Sequence, residues 1–180
     1  MGYPYNPTAD FQYELTMSKH MLRPEGTFPA AGLGKRLAAM FYDSLLCIAL
    51  LIVVTFLYKL ALMGIHGEAQ LRKLSDAGAL DGDPLLSSLL FLSLFGFFAK
   101  FWTHSGQTLG MQVWGLRVQN SNGQAISLWQ ALLRFLMSIV SWLSLGLGFL
   151  WLLWDKENRS WHDIYSDSRI VQLPKNIHKK

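Results

Sequence analysis

The sequence predicts an all-α integral membrane protein with three to four transmembrane or re-entrant helices and a short cytoplasmic β-hairpin. Hydrophobic residues make up 51% of the 180 residues and charged residues only 16%, whereas about a quarter of a typical soluble domain is charged. The apolar residues also stand together in long runs, and a run of about 20 such residues matches the hydrocarbon core of a bilayer. These observations predict one domain embedded in a membrane.

The net charge bears on the partners that the sequence predicts, and the single cysteine bears on disulfide bonds. The net charge of +4 favours basic faces toward an anionic leaflet. Nucleic acid is not expected as a partner, because the sequence has no Lys/Arg-rich helix and no ladder of aromatic and basic residues. Cys47 lies inside the first apolar run and, as the only cysteine of the sequence, cannot form an internal disulfide.

The chain divides into two tails and a central membrane domain. Residues 1–32 are polar and punctuated by prolines, which predicts a flexible cytoplasmic N-terminal tail with at most a short helix near residues 11–21. Residues 33–173 form the predicted membrane domain, and residues 174–180 form a basic C-terminal tail.

Two apolar runs predict membrane-spanning helices at Leu37–Met63 and Leu85–Trp102. Their orientation follows from the positive-inside rule, which counts lysine and arginine near the ends of a span. Four basic residues precede the first span and two lie in the loop after it, namely Lys19, Arg23, Lys35 and Arg36 against Arg72 and Lys73. The N-terminus is therefore predicted on the cytoplasmic side, to which the chain returns after the second span.

A polar segment follows the second span and predicts a β-hairpin. Residues 113–118 alternate in the manner of a strand, and Asn122-Gly123 is a dipeptide typical of hairpin turns. Just before it, Gly106 and Gly110 have the spacing of a helix-dimer motif. Because these glycines lie outside the spans, a tight turn that requires glycine is the favoured interpretation.

The third apolar run, Ser127–Trp154, allows two topologies. As one straight helix, its 28 residues would be about 42 Å long and would carry the C-terminus across the membrane. Six basic residues follow, which the positive-inside rule disfavours outside the cell: Lys156, Arg159, Arg169, Lys175, Lys179 and Lys180. A break at Ser144–Gly148, giving a re-entrant or thin helical hairpin, keeps them cytoplasmic and is the favoured alternative.

Charged residues inside the apolar runs are the candidate functional residues, because a charge at membrane depth is costly and normally has a partner. Asp43 lies inside the first span, Arg36 stands seven residues earlier at its mouth, and Arg134 lies inside the third run. An N-cap at Ser127 would place Arg134 at a depth similar to that of Asp43. We therefore predict that Asp43 pairs with Arg134, with Arg36 at the entrance. A structural ion pair and an ion- or proton-handling site both fit this arrangement.

The remaining motifs are weaker. His162-Asp163 could belong to a proton relay, because histidine titrates near neutral pH, but a pair that caps and fastens a juxtamembrane segment is favoured. His104 and His162 lack the close spacing of metal ligands, so no metal is expected. Gly32-Leu-Gly34-Lys35 is not a phosphate loop, and no cofactor is expected. Since no nucleophile–base or paired-carboxylate arrangement can be assembled, the protein is not expected to be an enzyme.

The order of these motifs resembles the RDD family of small bacterial membrane proteins, which is named for one arginine and two aspartates. The residues that carry the resemblance are Arg36, Asp43, Gly106-Gln107-Thr108-Leu109-Gly110, Gly115-Leu116-Arg117-Val118, Leu132-Leu133-Arg134 and Asp155 through Asp163. The resemblance covers about residues 32–172. It makes Arg36 the family arginine, Asp43 the first aspartate and Asp163 the second, with Asp155 as the alternative. Residues 164–171 depart from the family pattern, because they lack its small Ala-Gly step.

The resemblance implies a multi-pass protein of the bacterial cytoplasmic membrane that transports an unidentified ligand, such as monovalent cations exchanged for protons. The second hypothesis is a non-transporting scaffold or assembly module that binds a protein partner. Three or four helices are too few to enclose a path alone. A homo-oligomer or a larger membrane partner is therefore expected, in addition to the lipid bilayer.

Overall fold

The computed structural model describes residues 17–26, 28–78 and 82–174, most of which are helical. The strands are β1 (Met17–Met21), β2 (Leu116–Gln119), β3 (Gln124–Ile126) and β4 (Arg169–Gln172). The helices are α1 (Leu33–His66), α2 (Glu68–Asp76), α3 (Pro84–His104), α4 (Leu109–Trp114), α5 (Leu128–Leu143), α6 (Leu147–Leu150) and α7 (Trp161–Tyr165), and a 3-10 turn covers Trp151–Leu153. Residues 1–16 and 175–180 of the predicted tails lie outside the described residues.

The two predicted spans are helices that are long and apolar enough to cross a membrane. α1 has 34 residues and α3 has 21, so that both exceed the roughly 20 residues that a hydrocarbon core requires. α1 begins at Leu33 instead of Leu37 and ends at His66 instead of Met63. The apolar runs therefore predict both helices correctly, with the ends of α1 about one turn too far inside and those of α3 within two residues.

The chain forms two compact units. Unit 1 comprises Met1–Asp43 and Phe98–Lys180, and unit 2 comprises Ser44–Phe97. Inside unit 2, the side chain of Asp83 accepts a hydrogen bond from the backbone N–H of Leu85 at 2.9 Å, which caps the start of α3. The residues of the candidate site all belong to unit 1.

Four short strands form two antiparallel pairs in unit 1. β2 pairs with β4, from Leu116 opposite Gln172 to Gln119 opposite Arg169, and β1 pairs with β3. The turn at Asn122-Gly123 is present, since the N–H of Gly123 donates to the carbonyl of Asn120 at 3.0 Å.

The predicted hairpin is nevertheless wrong in its pairing. Residues 113 and 114 belong to α4, and the strands on the two sides of the turn each pair with a segment far away in the sequence. One of these segments is β1, which lies in the stretch that the sequence assigns to a flexible tail or a short helix. Alternation shows that a segment is extended but not which segment it pairs with.

The third apolar run breaks where the sequence predicts. α5 ends at Leu143, and the helical segment that begins at Leu147 is bent away from it by 111°. Leu145 and Gly146 have φ angles of 55° and 84°, a left-handed conformation that ends helices and that glycine adopts without steric cost. The break within Ser144–Gly148 is confirmed, and one straight helix over 127–154 is excluded.

The core of unit 1 contains large polar side chains. Arg117 is fully buried next to Leu116 and Val118. Its guanidinium donates to the side chain of Gln119 at 2.9 Å and to the carbonyl of Pro24 at 2.8 Å, because a buried charge must be hydrogen-bonded. Burial lowers the pKa of Arg117 from its ordinary value.

Candidate functional site

Asp163 is the centre of a buried charge cluster. Its Oδ2 accepts a hydrogen bond from Nη1 of Arg36 at 2.6 Å, and its Oδ1 accepts one from Nη1 of Arg134 at 2.6 Å. The side chain of Asp163 is fully buried, and the two arginine side chains are 5% and 2% exposed. The start of α1, the middle of α5 and the start of α7 therefore meet on one carboxylate. We call these three residues the Arg–Asp–Arg cluster.

A local motif explains how α7 presents Asp163. Ser160 is the N-cap of α7, and its hydroxyl and its backbone N–H donate to Oδ2 of Asp163 at 2.7 and 3.1 Å. The Ser160 side chain in turn accepts from the backbone N–H of Asp163, which completes a capping box. Such reciprocal bonds satisfy the free donors of a helix start. They also hold the carboxylate in the orientation that the two arginines need.

The charges around Asp163 keep it ionised. Burial by itself raises the pKa of a carboxyl, but the positive charge of Arg134, together with Arg36 and the hydrogen bond from Ser160, holds the pKa of Asp163 well below its usual range. Two guanidinium groups and one carboxylate leave the cluster with one net positive charge. At neutral pH Asp163 is therefore the negatively charged member of the cluster.

Arg36 connects the cluster to the segments around it. Its Nε donates to the carbonyl of Ala31 at 3.0 Å, and its Nη2 donates to the carbonyls of Asn158 at 2.9 Å and Ile170 at 3.3 Å. The planar guanidinium holds several acceptors in a fixed geometry, which a lysine cannot do. The sequence correctly places Arg36 at the start of α1. Its guanidinium is buried inside the protein.

Arg134 is held on two sides. Its Nη1 also donates to Oγ of Ser168 at 2.7 Å, and its guanidinium carbon lies 5.4 Å from the ring centre of Trp102, within the range of a cation–π contact. Its Nε has no hydrogen-bond partner among the described residues. A polar residue in the middle of the apolar helix α5 is thus paired inside unit 1.

His162 stands beside the cluster as a neutral imidazole. Its Nε2 lies 2.9 Å from Oγ of Ser160, whose one proton is already donated to Asp163. The proton of His162 must therefore be on Nε2, which donates to Ser160. Burial, followed by the positive charge of Arg134, lowers the pKa of His162 to about 3.

Asp43 does not contact Arg134, and the predicted pair is wrong. Oδ2 of Asp43 accepts a hydrogen bond from the hydroxyl of Thr108 at 2.5 Å, and Oδ1 accepts one from the backbone N–H of Gly110 at 2.9 Å. Thr108 is the N-cap of α4, whose first N–H groups have no partner within the helix. These donors satisfy Asp43, while Arg134 takes its partner from α7. Asp43 therefore fastens α4 to α1.

The glycines of residues 106–110 allow close backbone contacts. A Cβ on Gly110 would lie 2.4 Å from the carbonyl oxygen of Ala39. A Cβ on Gly106, whose φ is 69°, would lie 2.5 Å from the carbonyl oxygen of Val118. The requirement for glycine is confirmed at both positions, by the turn at Gly106 and by the contact with α1 at Gly110.

Two secondary candidates stand apart from the cluster. Gln107 donates from Nε2 to the carbonyl of Leu116 at 2.6 Å, a structural contact. Asp155 accepts from Nε of Arg159 at 3.2 Å, and this hydrogen bond lowers the pKa of Asp155. Arg36 forms its ion pair with Asp163, and Asp155 pairs instead with Arg159.

Sequence reasoning missed three partners of the charged residues, Thr108, Ser160 and Ser168. A signal for Ser160 exists, because Ser160-x-x-Asp163 has the spacing of a capping box. Thr108 also carries one, since threonine before a helical segment is a common N-cap. Ser168 contacts Arg134 across 34 positions, and no local pattern indicates such a contact.

Two observations bear on what the site could bind, a metal ion or a small molecule. Within residues 17–26, 28–78 and 82–174, no group of three or more His, Cys, Asp or Glu side chains is placed to hold a metal ion. A cavity of about 30 Å³ lies against Asp163, enough for a water molecule. Its walls are formed by Ser121, Arg159, Asp163, Ile164, Asp167, Ser168 and Arg169.

Fold and site together define a class, a helical protein with two membrane-length apolar helices and a polar unit built around buried arginine and aspartate. The model of the RDD family matches residues 30–167, which include Arg36, Asp43 and Asp163. The chain therefore belongs to the RDD family, as the order of its motifs predicts. The comparisons with curated proteins and with solved structures found no match.

Proposed function

We propose that this RDD-family protein is a non-transporting, non-enzymatic membrane module that assembles with further copies or with a larger membrane partner. The observation that carries the proposal is that the charges of the candidate site are used inside the chain. Both oxygens of Asp163 and both oxygens of Asp43 accept hydrogen bonds from the protein. A cation site needs oxygens that are free to become ligands.

The charge of the site also favours a structural role. Two arginines against one aspartate give the cluster a net positive charge, which repels a cation. A proton carrier needs a pKa near the working pH, and the lowered pKa values of Asp163 and His162 keep both residues in one protonation state at neutral pH. Buried ion pairs often fix a specific arrangement of segments and contribute little net stability.

We place the module in the bacterial cytoplasmic membrane with the start of α1 on the cytoplasmic side. The bias of basic residues toward the segment before α1 supports this orientation. Lys35 is exposed at the first turn of α1, where an ammonium group can meet anionic headgroups.

Transport of monovalent cations or protons is the second candidate. The observation that favours it is the polar cavity beside Asp163, which is lined by Arg159 and Arg169 and gives water a place next to the cluster. In this alternative, Asp43 would have to exchange its hydrogen bonds for contacts with the ion.

A flux measurement separates the two functions. Proteoliposomes that contain a pH-sensitive dye are exposed to a Na⁺ or K⁺ gradient, with wild type beside Asp43→Asn and an added ionophore as the positive control. The module predicts no protein-dependent pH change in either preparation. A pH change in wild type that disappears in a folded Asp43→Asn protein would contradict the module and support transport.

A mass measurement tests the assembly. Native mass spectrometry of the protein, extracted from its own membranes into nanodiscs, is expected to show more than one copy or a defined complex. A strictly monomeric particle, together with absent flux, would contradict an assembly role.

A further inference from the structure

The two ends of the third apolar run are fastened to the same sheet. β2, shortly before the run, pairs through its whole length with β4, which follows the run. A segment that crosses a bilayer separates its ends by about 30 Å. Paired strands are only about 5 Å apart, so a single crossing between β2 and β4 is incompatible with this sheet.

The start of α1 belongs to the same layer. The N–H of Ala31 donates to the carbonyl of Ile170 at 2.9 Å, and the N–H of Gln172 donates to the carbonyl of Pro29 at 2.9 Å. Arg36 adds its bond to the carbonyl of Asn158. The residues that lead into the first span and those that follow the third run are therefore on one side of the membrane.

The shape of the run agrees with a partial insertion. α5 has 16 residues and is about 24 Å long, shorter than the hydrocarbon core. After the 111° bend, α6 returns against α5. A Cβ on Gly148 would lie 2.0 Å from Oγ of Ser141, and the rings of Trp142 and Phe149 meet edge to face at 5.6 Å.

Several apolar side chains of the run are exposed, with none of residues 17–26, 28–78 and 82–174 covering them. Leu143 is 80% exposed and Leu145 is 94% exposed at the bend. The exposed aromatic residues of the run are Trp129, Trp142, Trp151 and Trp154. Exposed apolar side chains concentrated in one segment indicate a surface that is covered by lipid or protein. Tryptophan is the residue type enriched at the membrane–water interface.

We propose that residues 127–154 form a re-entrant wedge that enters only the leaflet on the side where α1 begins. The bend around Leu145 lies among the acyl chains of that leaflet, and the tryptophans nearer the ends lie at its headgroups. Arg134 on α5 is buried in unit 1, so the wedge exposes no charge to the chains. Lys156, exposed directly after the run, meets anionic headgroups.

Lipid is the occupant that fits this surface best. The wedge lies in the same unit as the first residues of α1, a helix of membrane length, so its apolar face is within reach of a bilayer. The inference is independent of whether the protein transports an ion, because it concerns the path of the chain through the membrane.

Sided labelling tests the path. Single cysteines replace the exposed residues Lys35, Lys156 and Arg72 in a Cys47→Ala background, and an impermeant maleimide is added to inside-out or right-side-out vesicles. We expect Lys35→Cys and Lys156→Cys to react in the same vesicles and Arg72→Cys to react in the opposite ones. Reaction of Lys156→Cys together with Arg72→Cys would overturn the wedge.

A depth measurement tests the occupant. A bimane label on Leu145→Cys is expected to be quenched by lipids brominated along the acyl chain, and most by bromines between the headgroup and the chain end. The same label on Lys156→Cys, as the control, should be quenched little. A Leu145→Cys label that lipid bromines do not quench, or a disulfide between the Leu145→Cys residues of two copies, would contradict the lipid contact.

Discussion

A buried carboxylate between two arginines is stable only while all three charges are present. Asp163 satisfies Arg36 and Arg134 at the same distance of 2.6 Å, and each arginine is nearly inaccessible to water. Removal of one member leaves an uncompensated buried charge, which costs about 3–5 kcal/mol, whereas replacement of the whole set by apolar residues can be neutral. The cluster therefore specifies which segments meet more than it adds to the stability.

We expect Asp163→Asn to lower the free energy of unfolding by about 3–5 kcal/mol, which corresponds to a decrease of roughly 10 °C in the unfolding midpoint. The amide keeps the volume but leaves both arginines without a counter-charge. Thermal unfolding in mild detergent measures the change. Asp155→Asn is the matched control, since Asp155 makes a partly exposed pair with Arg159 outside the cluster, and an equal loss in both variants would contradict a special role for Asp163.

His162 predicts a pH dependence of stability. Its pKa is about 3 in the folded protein and about 6.5 in an unfolded chain. Between these values the unfolded state binds a proton that the folded state does not, so stability falls as the pH decreases from 6.5 toward 3. The pKa of Asp163 is lowered as well, and its contribution is lost only below its unfolded value of about 4.

In the window between pH 6.5 and 4.5, the difference between wild type and a His162 variant therefore reports on His162. We expect the unfolding free energy of wild type to decrease there by up to about 1.4 kcal/mol per pH unit. His162→Gln, which retains a donor for Ser160, should reduce this slope. Chemical denaturation at several pH values gives the slopes, and identical slopes for the two proteins would contradict the assignment.

Among the elements, α4 is a short helix whose start is completed by another element. It has only six residues, too few for an isolated helix to be stable in water. Asp43 supplies acceptors for Thr108 and Gly110 at its start, and Gly110 permits the backbone of α4 to touch Ala39. Asp43 thus acts on a helix start, where its negative charge meets donors that have no partner within the helix.

We expect Gly110→Ala to destabilise the protein by about 1–3 kcal/mol, because its Cβ would lie 2.4 Å from the Ala39 carbonyl oxygen and 2.8 Å from Oδ1 of Asp43. Gly96→Ala on α3 is the control, since a Cβ there meets nothing within 4 Å and alanine favours a helix. Unfolding midpoints of the two variants measure the difference. A Gly110→Ala midpoint equal to that of Gly96→Ala would argue against the close contact.

The elements differ in how far the sequence predicts them. α1, α3 and the break after α5 are local features, because hydropathy and glycine conformation act over neighbouring residues. The partners of β2 and β3 are not local, since β4 begins 50 positions after Gln119 and β1 ends about 100 positions before Gln124. The turn at Asn122-Gly123 was therefore predictable, while the strand pairing around it was not.

At the scale of the whole molecule, the lack of long-range information in a sequence also explains why the predicted pair of Asp43 and Arg134 is wrong. The sequence identifies Arg36, Asp43, Arg134 and Asp163 as the important charges and places them at helix starts and inside apolar runs. It cannot assign the partner of Arg134, because residue type and spacing do not distinguish Asp43 from Asp163. The contact between Arg36 and Asp163 joins residues that are 127 positions apart. It therefore forms only when unit 1 folds.

A double-mutant cycle tests the central claim that Arg134 belongs to Asp163 and Asp43 belongs to α4. The unfolding free energies of Arg134→Met, Asp163→Asn, Asp43→Asn and the two double variants that contain Arg134→Met are compared in one detergent. We expect a coupling of about 1–3 kcal/mol between positions 134 and 163, and additivity within about 0.5 kcal/mol between positions 134 and 43. Coupling of Arg134 to Asp43, with additivity toward Asp163, would contradict the arrangement.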